Sequence, residues 1–198
     1  MATETSYGYR NPKNPRPKHT RVALVLGRFQ PLHIGHRTLM TASRLPVVIG
    51  LVRGKNSDPV KNPLSEELQR QVISEVAPPN VICVEVFQNA ALDVILDKLR
   101  DFGYELTEVY CGSDRFDSYR KQAMLYPPLM NGCVIVRLLD REDDTEGELL
   151  DEAGEVVVSR VSATRVRSLV RDGDYQTAAK VMPGLKKDTF DKMRECIS

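Results

Sequence analysis

Five short apolar runs constrain this chain more than anything else in it. They are Val22-Ala23-Leu24-Val25-Leu26, Val47-Val48-Ile49-Gly50-Leu51-Val52, Val81-Ile82-Cys83-Val84-Glu85-Val86-Phe87, Glu108-Val109-Tyr110-Cys111 and Cys133-Val134-Ile135-Val136-Arg137-Leu138. Runs this short and this rich in β-branched residues read as buried strands. Segments of helical period separate them. Leu39, Met40 and Ala42 form one face before Pro46, and Leu68, Val72, Ile73 and Val76 form a second before Pro78-Pro79. Leu92, Ile95, Leu96 and Leu99 form a third before Gly103. Strand, helix, strand over 22–52 makes a parallel pair with a right-handed crossover, so an α/β chain built on a parallel sheet is expected. Ser162 opens a further helix with Leu169 and Val170 on its face and Gly173 as its stop, and two shorter helices are expected after it.

With 198 residues the chain fills one substantial core, which sets a single domain over 21–198. Residues 1–20, rich in Asn, Pro, Lys and Arg without an apolar face, read as a mobile basic arm, solvated or touching phosphate or a partner subunit. The carboxylates between Asp140 and Glu155 read as an acidic hairpin or loop insertion; their spacing is not that of a calcium loop. Basic and acidic residues nearly balance, 28 against 27, so nucleic acid is not an expected partner. Cys83, Cys111, Cys133 and Cys196 lie far apart, as reduced thiols do. No apolar run approaches the roughly 20 residues of a membrane span and no signal-peptide core opens the chain. A soluble, cytoplasmic protein without a membrane partner is expected, and a homo-oligomer is compatible with it.

The chemistry concentrates in Gly27-Arg28-Phe29-Gln30-Pro31-Leu32-His33-Ile34-Gly35-His36, between the first strand and the first helix. A strand ending in glycine and handing over to a helix aims main-chain N–H groups and a positive dipole end at whatever enters the crevice, which suits phosphate. Gly35 clears space beside the main chain, and His33 and His36 add two directional donors. Zinc is the rival occupant, but His19 is the only other histidine and no cysteines are paired, so no protein metal set is expected. The polar loop at 53–63 leaves the carboxyl end of the second strand, where Arg53, Lys55 and Lys61 are either anion contacts or solvated charges. Gly112-Ser113-Asp114-Arg115 repeats the glycine-and-polar handover after the fourth run, with Ser113 or Asp114 as helix cap, site residue or both. Ser162, Thr164 and Arg167 place two hydroxyls and a permanently charged fork on one helix start, which suits phosphate oxygens; an ordinary capped helix accounts for them equally.

The stretch from Gly27 to His36, taken with Val161-Ser162-Ala163-Thr164-Arg165-Val166-Arg167, resembles the two signatures of the nucleotidylyltransferase superfamily. The Gly-Arg-Phe-Gln-Pro form is similar to that of archaeal-type nicotinamide-nucleotide adenylyltransferases. Asn62-Pro63-Leu64-Ser65 resembles the same branch, with Arg70 about one residue out of register. The resemblance implies a Rossmann-like parallel sheet with helices on both faces, plus C-terminal helices. It implies His33, His36 and Arg167 as catalytic residues, and Gly27, Arg28, Phe29, Gln30, Gly35, Gly112, Asp114, Arg115, Ser162 and Thr164 as nucleotide-binding residues. It further implies Mg2+ bridging a triphosphate, ATP as donor and nicotinamide mononucleotide (NMN) as acceptor, giving NAD and pyrophosphate. Members of this branch stack the pyridine ring on a tryptophan, and this chain has none; Phe87 and Phe102 are the aromatic stand-ins. Transfer from ATP or CTP to another phosphorylated acceptor, and a nucleotide-binding regulator without turnover, are the alternatives.

Overall fold

The computed structural model describes residues 9–10, 20–54, 58–125, 134–137, 149–150, 156–158 and 161–197. Its elements in chain order are β1 (Tyr9–Arg10), β2 (Thr20–Gly27), α1 (Ile34–Thr41), β3 (Val47–Val52), α2 (Glu66–Val76), β4 (Val81–Phe87), α3 (Leu92–Asp101), β5 (Tyr104–Cys111) and α4 (Ser113–Leu125). They continue with β6 (Val134–Arg137), β7 (Leu149–Leu150), β8 (Val156–Val158), α5 (Ala163–Asp172), α6 (Tyr175–Val181) and α7 (Lys187–Cys196).

All five apolar runs are strands, and β2 to β6 form a five-stranded parallel sheet in the order β4-β3-β2-β5-β6, with β1 antiparallel on the outer edge of β4. This is the expected α/β Rossmann-like architecture. Strand β5 begins four residues earlier than its apolar run because Tyr104 and Leu106 are buried while Glu105 between them is exposed, which interrupts the continuous pattern. Alternation along β2 sends Val22 and Leu24 to one face and Ala23 and Val25 to the other. Helices α3 and α4 cover the first face through Leu92, Ile95, Leu99 and Tyr119. Helices α1, α2 and α5 to α7 cover the second, where Met40, Ile73, Val166, Phe190 and Met193 are buried.

The parallel strands start with β2 near the middle of the sheet, wind outward through β3 and β4, then return past β2 to β5 and β6. The direction of winding therefore reverses between β2 and β5, and at such a point the loops beyond the carboxyl ends part to leave a crevice. The register sets Gly27 opposite Leu51 and Val25 opposite Tyr110, so the turns after β2, β3 and β5 all open at one edge.

The expected caps are in place. Ser65 accepts from Leu68 N at 3.2 Å, and Ser162 accepts from Arg165 N at 3.2 Å. Gly173 ends α5 at φ +75°, a left-handed conformation that glycine adopts without strain. Helix α7 docks on α2 through Thr189, wholly buried, whose Oγ1 donates to Glu75 Oε1 at 2.7 Å. Gly184, at φ +95°, allows the approach: a Cβ there would stand 2.4 Å from the Glu75 main-chain oxygen.

Of the basic arm, Tyr9–Arg10 pairs with β4, while 1–8 and 11–19 lie outside the described residues. In the acidic region β7 and β8 pair antiparallel; 138–148 and 151–155 lie outside the described residues. Among the described residues no helix is long and apolar enough to cross a membrane.

Candidate functional site

The residues between β2 and α1 are shaped by one contact at their start. Phe29 sits at φ +44° with 2 % of its surface exposed, and its ring lies where a side chain on Gly27 would be: a Cβ at Gly27 would meet Phe29 Cζ at 2.9 Å. Gly27 and Phe29 are thus a packing pair that turns the chain into the crevice, and the ring also meets His36 edge-on at 5.0 Å. The Gln30–Pro31 peptide is cis. Gln30, 5 % exposed, clamps Leu64 from both sides of its amide: Oε1 accepts from Leu64 N at 2.9 Å and Nε2 donates to Leu64 O at 3.2 Å. Its side chain ties the 58–64 loop to the histidine loop.

His33 is the N-cap of α1. Its Nδ1 accepts from Gly35 N at 3.2 Å, while His36 Nδ1 accepts from His33 N at 3.3 Å, a capping box made of two imidazoles. His36 N and Arg37 N both donate to His33 O, at 2.9 and 3.1 Å. The sequence led to an expectation of main-chain N–H groups aimed at a ligand; the structure engages these within the loop itself. A neutral imidazole accepting at Nδ1 carries its proton on Nε2. The rings lie 4.0 Å apart, close enough to address one anion.

Helix α5 meets this loop head-on. Arg167 Nη1 donates to Gln30 O at 2.7 Å and Nη2 donates to Thr164 Oγ1 at 3.1 Å. A Cβ at Gly35 would lie 3.8 Å from Val161 O, so the two signature segments touch at that point as well. Burial holds the Arg167 pKa below its ordinary value, and the neighbouring Arg171 and Arg28 guanidinium groups push it the same way. An anion between Arg28 and Arg167 would relieve that repulsion. Ser162 and Thr164 are exposed at the same helix start.

Gly112, Asp114 and Arg115 stand at the carboxyl end of β5, beside β2 by sheet register. Helix α4 begins at Ser113, so Ser113 and Asp114 belong to its first turn rather than preceding it as a cap. Asp114 folds back, with Oδ1 2.9 Å from where a Gly112 Cβ would be, and its Oδ2 is 3.7 Å from Arg115 Nε, both side chains being exposed. On the other side of β2 a cleft of about 320 Å3 is lined by Arg28, Gln30, Arg53, Asp58, Lys61 and Asn62 together with Val52 and Gly54. Three cations face one carboxylate there, so the cleft favours an anion. Lys55 lies outside the described residues. Arg70 is turned away: its Nε is 3.0 Å from Glu66 Oε1 and its Nη1 donates to Val84 O at 3.1 Å.

Neither aromatic stand-in reaches the crevice. Phe87 is 5 % exposed, packed within 3.3 Å of where a Gly50 Cβ would be, with Lys98 Nζ 5.0 Å from its ring centroid. Phe102 closes α3 two residues before β5 begins, at the opposite edge of the sheet. Sequence reasoning missed Gln69, which is 1 % exposed and donates to Arg28 O at 2.6 Å. The available signal was an amide set among the apolar residues of α2, beside Leu68 and one turn before Ile73.

No family model and no curated protein matches the sequence. Solved structures do. One is a bifunctional NMN adenylyltransferase/ADP ribose pyrophosphatase from Francisella tularensis, complexed with AMP and a manganese ion, at a TM-score of 0.52 and 16 % identity. The match covers 89 % of this chain and 48 % of that one, so this chain spans about half the length of the Francisella protein. The nicotinic acid mononucleotide adenylyltransferase of Plasmodium falciparum, complexed with APC, matches at a TM-score of 0.50 and 11 % identity, over 88 % of this chain and 96 % of that one. A Vibrio parahaemolyticus protein matches at a TM-score of 0.53 and 12 % identity, over 88 % and 98 %. At these identities the likeness establishes the fold: the chain is an α/β Rossmann-like domain of the architecture on which the Francisella and Plasmodium adenylyltransferases are also built.

Proposed function

We propose that this protein is a nucleotidyltransferase that moves AMP from ATP to the phosphate of NMN, giving NAD and pyrophosphate. The observation that carries the reading is the meeting of the two signatures at one place, with Arg167 bonded to Gln30 O, Gly35 against Val161 O and the His33–His36 pair in the same loop. Shared architecture with the Francisella and Plasmodium adenylyltransferases supports it.

In this mechanism an oxygen of the acceptor phosphate attacks the α-phosphorus of ATP in line. The new P–O bond forms as the bond to the β-phosphate oxygen breaks, and pyrophosphate leaves with the electron pair. The attacking oxygen is already ionised, so no protein base is needed. His33, His36, Arg28 and Arg167 neutralise the charge that builds on the α-phosphoryl and on the leaving pyrophosphate, and the rigid loop holds donor and acceptor in line. The residues gathered here are hydrogen-bond donors, which fit phosphate oxygens and not a hard cation. Magnesium therefore belongs with the triphosphate as part of the substrate, and no step is assigned to it. The test is incubation with ATP, magnesium and NMN: NAD is expected, and its absence at every enzyme concentration overturns the reading.

A second reading, adenylyl or cytidylyl transfer to another phosphorylated acceptor, is favoured by the burial of Phe87 and the position of Phe102, which leave a nicotinamide ring without either stacking partner. Supplying ATP and CTP with a panel of phosphomonoesters, and following pyrophosphate release, separates the two.

A further inference from the structure

Gln69 stands at the fourth position of α2 with 1 % of its surface exposed, among the apolar side chains that face the core. A buried amide is costly unless its donors and acceptor are all engaged. Here the engagements all lead to the cleft. Nε2 donates to Arg28 O at 2.6 Å and to Phe29 O at 3.4 Å, and Oε1 accepts from Nη1 of Arg53. The orientation is forced, because a reversed amide would set its oxygen against two carbonyls and its NH2 group against a guanidinium. Arg53 is held a second time, by its main-chain N donating to Phe87 O at 2.8 Å.

Arg28 and Arg53 line the same cleft, arriving from the ends of β2 and β3. One amide therefore binds the main chain that carries the first cation and the side chain of the second. It also holds the carbonyl of Phe29, the residue in the left-handed region, whose conformation persists only where its surroundings fix it.

We propose that Gln69 is a positioning residue that sets Arg53 and the Arg28–Phe29 main chain as a matched pair around one anionic group, the phosphate ester of the acceptor. Naming that group as the acceptor's rests on the transferase reading; the coupling of Gln69 to Arg53 does not. Arg70, next in sequence, is occupied by Glu66 and the Val84 carbonyl and takes no part.

The experiment compares the intact chain with Gln69→Leu, Arg53→Ala and the double variant, titrated calorimetrically with inorganic phosphate at constant ionic strength. Each single change is expected to weaken binding about tenfold, the loss of one charge-assisted contact, and the double variant to bind no more than about twofold worse than Arg53→Ala. Losses that multiply, or a Gln69→Leu protein that binds like the intact chain, overturn the proposal. A second measurement needs no Gln69 variant. The Arg53 guanidinium, assigned by its disappearance in Arg53→Lys, is expected to give resolved, slowly exchanging 15N–H signals at neutral pH; signals averaged like those of free arginine overturn it. Coupled phosphate binding without turnover would sink the transferase reading and leave this one standing. Turnover with independent effects would do the reverse.

Discussion

Arg167 Nη1 lies 2.7 Å from the main-chain oxygen of Gln30, across 137 positions of sequence. The fork is divided between two duties, since Nη2 is committed to Thr164 Oγ1. Lysine has one point of charge and cannot divide in this way. Arg167→Lys is expected to keep the fold and to lower adenylyl-transfer turnover by about 100-fold, the usual cost of removing one transition-state donor. Pyrophosphate release under saturating substrates measures it, and a variant within twofold of the intact chain would remove Arg167 from the mechanism.

The two histidines cap α1 with Nδ1, and each ring has a second nitrogen, Nε2, that the cap does not use, so capping and catalysis can be tested apart. Asparagine supplies an acceptor for capping but no group at the Nε2 position. His33→Asn is expected to unfold within about 0.5 kcal/mol of the intact chain, whereas His33→Ala loses about 1 kcal/mol. Both are expected to lose turnover by about 100-fold or more. Urea titrations paired with activity assays check this, and an active His33→Asn protein contradicts it.

Gly27→Ala places a methyl group 2.9 Å from Phe29 Cζ, and Phe29 is buried beneath its own loop with little room to retreat. A loss of roughly 1–3 kcal/mol is expected from this overpacking. Phe29→Leu in the same chain should recover part of it, which chemical denaturation of the single and double variants reads directly.

Stability is expected to fall at high pH. Burial, followed by the charge of Asp114, pushes the Cys111 thiol up from 9.0 to about 11, and burial pushes Tyr119 up from 10.0 to about 12. The folded chain keeps these protons where the unfolded chain sheds them. Their contribution is complete below pH 9 and is lost as pH rises through about 11 for the thiol and about 12 for the phenol, at about 1.4 kcal/mol per pH unit for each proton. Cys111→Ala should flatten the fall between pH 9 and 11 in urea midpoints, and an unchanged slope there would show that the thiol takes no part.

The parallel sheet was legible because strands covered on both faces read as unbroken apolar runs, and the caps were legible because Ser65, Ser162 and Gly173 act within one turn of themselves. The mutual approach of the two signatures could be read only through resemblance, since nothing in spacing says that Arg167 finds Gln30. The tethers Gln30 to Leu64 and Gln69 to Arg28 were not legible at all. An amide advertises neither charge nor period, and the partners in these two tethers, Leu64 N and O and Arg28 O, are main-chain atoms, which every residue carries alike. Gln30 and Phe29, which the resemblance implies as nucleotide-binding residues, also carry a tethering and a packing duty that the sequence did not show.

The docking of α7 on α2 has a consequence for how the protein is made. Val166, Val170, Met182, Phe190 and Met193 all come from the last forty residues, yet they cover a face of the sheet laid down by β2 to β5. A chain stopped before α5 has its strands complete and that face covered by α1 and α2 alone, which leaves apolar surface that invites aggregation. The residues beyond 160 thus supply part of the core and the Arg167 wall of the crevice together, so a chain stopped at residue 160 is expected to be insoluble as well as inactive, which its sedimentation would show.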